Sequence, residues 1–239
     1  MQANKNKFKC ILTSKKKETE DVITLKFRVS KKNSLSFSPG QYLIVYLNGQ
    51  LDLGGKAYTI SSIPSGKFLT ITIKKMGKFS TALHELKIGS AITAEGPIGN
   101  FYPNKDDREL IFLAAGIGIT PFLSIIRAYA KDNLLKDKRI CLFYSNKTKE
   151  DIAFFDELNS LSKNNKNTKI FYHLTRQNIK DKYIKEFKRI DITSIKNKLT
   201  DLSGKDYFIC GPIRFVLDIR RALLDEGISE LKIHTESFY

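Results

Sequence analysis

From Glu109 to Ala130 the chain reads ELIFLAAGIGITPFLSIIRAYA, and this stretch restricts the fold more than any other. Leu110, Ile111, Phe112, Leu113 and Ala114 run apolar without polar alternation, the pattern of a strand buried on both faces of a parallel sheet. Phe122, Ile125, Ile126 and Tyr129 then recur at helical spacing, and Pro121 suits the first position of that helix. Strand and helix follow one another with almost no linker, which calls for an α/β arrangement. Gly116 and Gly118 in the connection admit two readings. They serve the geometry of a tight turn, or they let backbone N–H groups at the helix start, beside Thr120 and Pro121, approach a phosphate at the positive end of the helix dipole.

The first hundred residues have another period. Leu69, Ile71 and Ile73 alternate with Thr70, Thr72 and Lys74 across Phe68 to Lys75, and Val22 to Val29 and Gln41 to Leu47 are β-rich runs separated by Pro39-Gly40 and Asn48-Gly49 turn signals. They predict an antiparallel barrel or sandwich. Beyond Glu109, strand-like and helix-like runs alternate: Arg139 to Tyr144 then Asp151 to Leu161, Lys169 to Leu174 then a polar insertion, Tyr207 to Cys210 then Arg214 to Leu224, and a closing Leu231 to Thr235. The change of period places a domain boundary in the charged Tyr102 to Arg108 segment, with a first domain at 1–104 and a second at 105–239.

Composition narrows the function classes. No apolar run approaches the ~20 residues that span a bilayer, and MQANKNKFKC has no hydrophobic segment after its lysines, so a cytoplasmic protein without a membrane span is expected. Three cysteines, Cys10, Cys141 and Cys210, are too few and too scattered for a disulfide framework or an iron–sulfur site. His84, His173 and His234 show no ligand spacing, so no metal site is expected. Forty-one Lys and Arg against 25 Asp and Glu leave a net charge of +16, which attracts phosphorylated cofactors, acidic proteins or nucleic acid. No helix-turn-helix, zinc-finger or aromatic RNA-reading pattern accompanies it, and a nucleic-acid partner is not expected.

The order of the motifs is specific. KAYTISS (Lys56 to Ser62), GKFSTAL (Gly77 to Leu83), GPIGNF (Gly96 to Phe101), AAGIGITP (Ala114 to Pro121), CGP (Cys210 to Pro212) and the terminal ESFY together resemble the ferredoxin-NADP reductase family. That flavin-dependent reductase module also occurs in flavohaemoglobins and oxygenase reductases. The resemblance runs over nearly the whole chain. It implies two domains, an antiparallel β-barrel that binds FAD followed by an α/β parallel-sheet domain that binds NAD(P).

The resemblance also implies roles. Lys56 would meet the FAD pyrophosphate, Tyr58 would pack on the flavin, and the Thr59 hydroxyl would lie near flavin N5, with Ile60 and Ser61 continuing the cofactor-binding run. The family carries arginine where Lys56 stands, so a planar bidentate fork is replaced by a point charge. Gly77 would allow close backbone approach, and Ser80, next to Thr81, would cap a short helix aimed at the pyrophosphate. Cys210, with Gly211 and Pro212, would stand near the nicotinamide at the carboxyl end of a strand. Glu236 and Phe238 match the family's E-x-aromatic ending, Phe238 gating the flavin face, and Tyr239 either contacts the adenine side of FAD or faces solvent. Thr59, Cys210 and Glu236 are the groups expected around the hydride path.

Ser145 and Lys147 after the second strand, and Thr175 and Arg176 after the third, would grip a 2′-phosphate. No acidic residue ends the Cys141 to Tyr144 strand to engage a free ribose hydroxyl, so NADP is expected over NAD. The implied activity is hydride transfer from NAD(P)H to FAD and release of electrons to a separate acidic carrier such as ferredoxin or flavodoxin. An NAD(P)H:flavin reductase that uses free flavin, and an electron-transfer subunit of a larger redox enzyme, are the alternatives.

Overall fold

The computed structural model describes residues 7–30, 35–47, 54–64, 68–132 and 137–238; the Asn48-Gly49 turn and Tyr239 lie outside these. The chain divides into two compact units, each taken by itself: Met1–Tyr102 with Leu123–Ala128, and Pro103–Phe122 with Tyr129–Tyr239.

The first unit is built on β1 (Lys7–Lys17), β2 (Val22–Val29), β3 (Tyr42–Leu47), β4 (Lys56–Thr59), β5 (Phe68–Lys74) and β6 (Ala91–Ile98), with the helix α1 (Lys78–Glu85). The strands pair antiparallel in the order β4-β3-β6-β1-β2-β5. The two end strands meet where Ile60 bridges Ile71 and the Ser61 N–H donates to Thr70 O at 2.9 Å, so the sheet closes into a barrel and leaves no long free edge there. Alternation decides which side chains fill it. Leu69, Ile71 and Ile73 point inward with Cys10, Leu12, Leu25, Phe27, Leu43, Val45, Ile92 and Ala94. Each fully buried Leu or Ile adds about 1.5–3 kcal/mol of transfer free energy.

The second unit carries β7 (Glu109–Ala115), α2 (Thr120–Lys131), β8 (Arg139–Asn146), α3 (Phe155–Asn164), β9 (Thr168–Leu174), β10 (Ile184–Glu186), α4 (Ile192–Lys196), β11 (Asp206–Pro212), α5 (Ile213–Asp225) and β12 (Ile233–Phe238); the middle of α2 belongs to the first unit. All its strand pairs are parallel, in the order β10-β9-β8-β7-β11-β12. Leu110 to Ala114 are buried throughout, as a central strand covered on both faces requires. The polar insertion after β9 holds an unforeseen edge strand and short helix. Among the described residues, no helix is long and apolar enough to cross a membrane.

Three local readings change. The helix after the glycines starts earlier than Pro121: Gly116–Ile119 already form a 3-10 turn that runs into α2, tied by the Thr120 N–H and hydroxyl on Ile117 O. Helix α3 starts at Phe155, not Asp151, because the Asp151 carboxylate accepts the Thr148 N–H and hydroxyl at 3.0 and 3.1 Å and holds that segment as a turn. The closing run from Leu231 opens as a 3-10 turn and extends as strand to Phe238.

Candidate functional site

On the first unit the FAD residues cluster at β4, its exit and α1. Lys56 is exposed, Tyr58 is half-buried, and the Tyr58 and Phe79 rings stack at 6.1 Å. Thr59 is buried, and its hydroxyl finds no partner among the described residues. A buried orphan hydroxyl costs about 1–3 kcal/mol unless something bonds it, so a polar ligand atom fits there. At α1, Gly77 is extended, and a Cβ added to it would meet nothing within 4 Å, so protein atoms leave the approach open. The helical bonds begin with Thr81 N–H on Gly77 O, which leaves the preceding first-turn N–H groups as donors for an anion. The residues present therefore fit FAD.

One reading here is corrected. Ser80 is not the N-cap residue of α1; Gly77 holds that position, and Ser80 caps from inside the first turn, at the third helical position. Its hydroxyl accepts the Met76 and Gly77 N–H groups at 2.9 and 3.0 Å and donates to Gly77 O, which saturates it. Ser61 has its polar groups engaged within the protein. Its N–H bonds Thr70 O, its hydroxyl joins Thr70 and Thr72 at 2.9 Å, and its carbonyl accepts Arg127 Nη1 at 2.6 Å. Ser124 Oγ adds a 2.8 Å bond to Ser62 O. Arg127 and Ser124 thus hold the run after Thr59, a role that sequence alone does not signal because 66 and 62 positions separate the partners. Ile60 is fully buried in the barrel core and offers a ligand only backbone.

On the second unit, the remaining residues collect along the carboxyl edge of the parallel sheet, where ligands of open α/β sheets bind. Cys210 on β11 lies in register with Ala114 on β7 and Glu236 on β12, and Pro212 with Phe238. Cys210 is fully buried; burial, with a smaller push from Glu236, raises its pKa well above the usual thiol value, so it stays a neutral thiol. Burial pushes the Glu236 carboxyl up to about 7. Phe238 is half-buried and Pro212 exposed. Gly211 packs its α-carbon against Ala115 and Phe215, where a Cβ would come to 3.0 Å of each.

The two turn glycines have different tasks. Gly116 has φ +55°, a left-handed conformation, and an added Cβ would meet nothing within 4 Å. Gly118 instead makes room for protein: a Cβ there would overlap Cys210 O and lie 2.5 Å from its carbonyl carbon and 2.8 Å from Gly211 N. It lets the turn after β7 press against the Cys-Gly-Pro backbone. Thr120 is buried and Pro121 follows it into α2.

Further along the same edge, the ends of β8 and β9 are joined. Thr175 N–H donates to Asn146 O at 3.0 Å and Arg176 N–H to Lys147 O at 2.9 Å. Lys147, Thr175 and Arg176 are exposed, and Ser145 is buried. Thr175 donates its hydroxyl to Asn146 O at 3.3 Å, so its proton is engaged within the protein rather than free for a phosphate. Around these residues Lys149, Gln177 and Asp181 link the two loops, a set that nothing in the sequence marks. His234 stacks on Phe208 at 4.3 Å with Nε2 3.8 Å from Asp206, an acidic neighbour not apparent from sequence, while His84 Nε2 lies 3.1 Å from Ile73 O.

Two family models match, an oxidoreductase FAD-binding domain over residues 9–102 and an oxidoreductase NAD-binding domain over residues 112–221. The chain is 30% identical over 226 residues to the sulfhydrogenase 2 subunit gamma of Pyrococcus furiosus, covering 90% of this chain and 77% of that one. It is 26% identical to a flavohemoprotein of Bacillus cereus, covering 97% of this chain but spanning only 61% of that protein's length. The crystal structure of a ferredoxin NADP+ reductase from Neisseria gonorrhoeae, with bound FAD and NADP, superposes with a TM-score of 0.83 at 23% identity over 100% of both chains, a likeness of fold.

Proposed function

The chain belongs to the ferredoxin-NADP reductase family, and from that membership we propose that it oxidises NADPH in preference to NADH and passes the electrons to a separate carrier protein. That it is an oxidoreductase module with FAD-binding and NAD(P)-binding domains follows from the family itself. FAD, when bound, supplies the hydride acceptor and a route for single electrons, chemistry that protein side chains lack.

The chain's own groups bind, orient and exclude water. Lys56 would hold the cofactor's pyrophosphate by its positive charge, with the first-turn N–H groups of α1 as further donors. The Thr59 hydroxyl offers its unused hydrogen-bonding capacity to the ring system. On the sheet edge of the second unit, Cys210 contributes a neutral surface for the nicotinamide, and Glu236, half protonated near pH 7, holds a proton on its carboxyl. Phe238 shields that edge from water. A chain of net charge +16 draws an acidic carrier such as ferredoxin or flavodoxin by electrostatic steering, and a cytoplasmic setting agrees with three free cysteines.

The observation that carries the dinucleotide preference is the side-by-side placement of Lys147 and Arg176, two exposed cations at the ends of β8 and β9, where β8 ends in Ser145-Asn146 rather than a carboxylate. Replacing Arg176 by alanine is expected to raise the KM for NADPH about tenfold, the worth of one charge-assisted contact, and to leave that for NADH within about twofold. Steady-state kinetics with both dinucleotides decides it. A wild type that prefers NADH, or a variant in which both KM values rise together, removes the assignment.

Lys56 supports a second reading, in which flavin is an exchangeable substrate and no protein partner is needed, because a lone ammonium grips a pyrophosphate less firmly than a guanidinium. The name of the sulfhydrogenase relative, a subunit, supports a third, in which the module serves inside a larger redox enzyme. Flavin retention through dialysis separates the second reading from the first, and turnover of the isolated chain with an artificial acceptor separates the third.

A further inference from the structure

We propose that Lys149 and Asp181 are positioning residues for the phosphate-bearing end of the dinucleotide: their ion pair fixes the loops that present Lys147 and Arg176, and so sets discrimination for a 2′-phosphate. The inference rests on the assignment of Lys147 and Arg176 made above.

The two loops are joined at every level. The backbone bonds Thr175 N–H to Asn146 O and Arg176 N–H to Lys147 O extend the β8–β9 pairing past the strand ends. Two residues after Lys147, the Lys149 N–H donates to Gln177 Oε1 at 2.8 Å, and Gln177 directly follows Arg176. Gln177 Nε2 in turn donates to Glu150 Oε2 at 3.4 Å. Lys149 Nζ then reaches Asp181 Oδ2 at 2.7 Å, with side-chain exposures of 38% and 10%. The other oxygen of Asp181 accepts the Tyr183 N–H at 2.7 Å and the Ile184 N–H at 3.3 Å.

Those last bonds distinguish this pair from a surface ion pair. Free surface pairs contribute little because two long side chains lose entropy to meet. Here Asp181 is already fixed by backbone donors, and Ile184 is buried and registered with Tyr172 of β9. Lys149 is also guided, its ammonium 5.3 Å from the centre of the Phe155 ring, which packs on Tyr172 at 5.1 Å. The pair ties the β8 loop to a point anchored in the sheet. With Lys149 neutralised, the Asp181 carboxylate loses its cation and the Lys147–Arg176 spacing loses its brace. The loss should fall on a ligand that needs both cations at once, and spare one that needs neither.

The test is calorimetric binding of 2′,5′-ADP and of 5′-AMP to the full-length chain, a readout independent of turnover. Arg176→Ala checks the underlying assignment and should cost about tenfold in affinity for 2′,5′-ADP alone. Lys149→Met and Asp181→Asn should each cost about fivefold for 2′,5′-ADP with 5′-AMP unchanged, and Lys149→Arg should stay within about twofold of wild type, since it keeps the charge. An Arg176→Ala protein that binds 2′,5′-ADP normally sinks the phosphate-site assignment. If Arg176→Ala loses affinity while Lys149→Met and Asp181→Asn do not, the assignment stands and the positioning role is overturned. Equal loss for both nucleotides, or failure of Lys149→Arg to keep affinity, also overturns it, because the pair would then be only structural.

Discussion

Replacing Gly118 by alanine is expected to remove about 3 kcal/mol of folding stability, at the upper end of what overpacking costs, and to raise the KM for both dinucleotides in whatever folds. The cause is backbone against backbone. The new Cβ would overlap Cys210 O and sit 2.5 Å from its carbonyl carbon, and neither partner is the end of a side chain that can rotate away. Cys210 is pinned in register between Ala114 and Glu236, so relief means moving the turn after β7, the strand end of β11, or both. The comparison is Gly116→Ala, whose Cβ meets no protein atom but whose φ of +55° penalises any side chain by about 1–2 kcal/mol. Urea unfolding should therefore rank wild type above Gly116→Ala and that above Gly118→Ala. A Gly118→Ala protein as stable as wild type would mean that the turn does not rest on the Cys-Gly-Pro backbone.

The second large effect belongs to Glu236 and has a definite pH signature. Burial raises its folded-state pKa from 4.5 to about 7, so between those values the folded chain holds a proton that the unfolded chain releases. Stability contributed by this group is complete below pH 4.5 and is lost as pH rises through about 7. The full shift corresponds to about 3 kcal/mol, and partial exposure of the carboxyl reduces the expectation to about 2 kcal/mol. Glu236→Gln cannot ionise and should be more stable than wild type by that amount above neutrality, with no gain in acid. Unfolding free energies measured across the range would show the two curves meeting at low pH. Parallel curves would place the Glu236 carboxylate in water.

What could be read from sequence was whatever the pattern encodes locally. The switch from a period of two to alternating strands and helices separated an antiparallel barrel from a parallel α/β sheet, because burial on one face and on two faces write different sequences. β5 stands out by alternation, β2 and β3 as β-rich runs, and β7 by the unbroken apolar run from Leu110 to Ala114. β1 does not stand out in the sequence although Phe8, Cys10 and Leu12 alternate inward, since its lysines on the outer positions and beyond read as solvated charge. β10 and α4 were hidden in a polar insertion, as edge elements with little to bury are.

At the site, motif order located the residues but not their partners. Ser80 looks like a cap because serine in a first turn and serine before it are the same letter three places apart. Gly118 looks like a ligand glycine, and its dependence on Cys210 spans most of the second unit. Lys149 and Asp181 lie 32 residues apart and become a pair only when β8 and β9 lie side by side. Such tertiary contacts leave no trace in local periodicity.

The most direct test of the account is a visible spectrum of the purified full-length chain, followed by anaerobic titration with NADPH and, separately, NADH. The account predicts a yellow protein, or one that turns yellow on adding FAD and keeps the flavin through gel filtration, whose long-wavelength band bleaches on a stoichiometric addition of NADPH and needs an excess of NADH. A colourless protein that takes up no FAD, or a bound flavin whose band NADPH leaves intact, contradicts it.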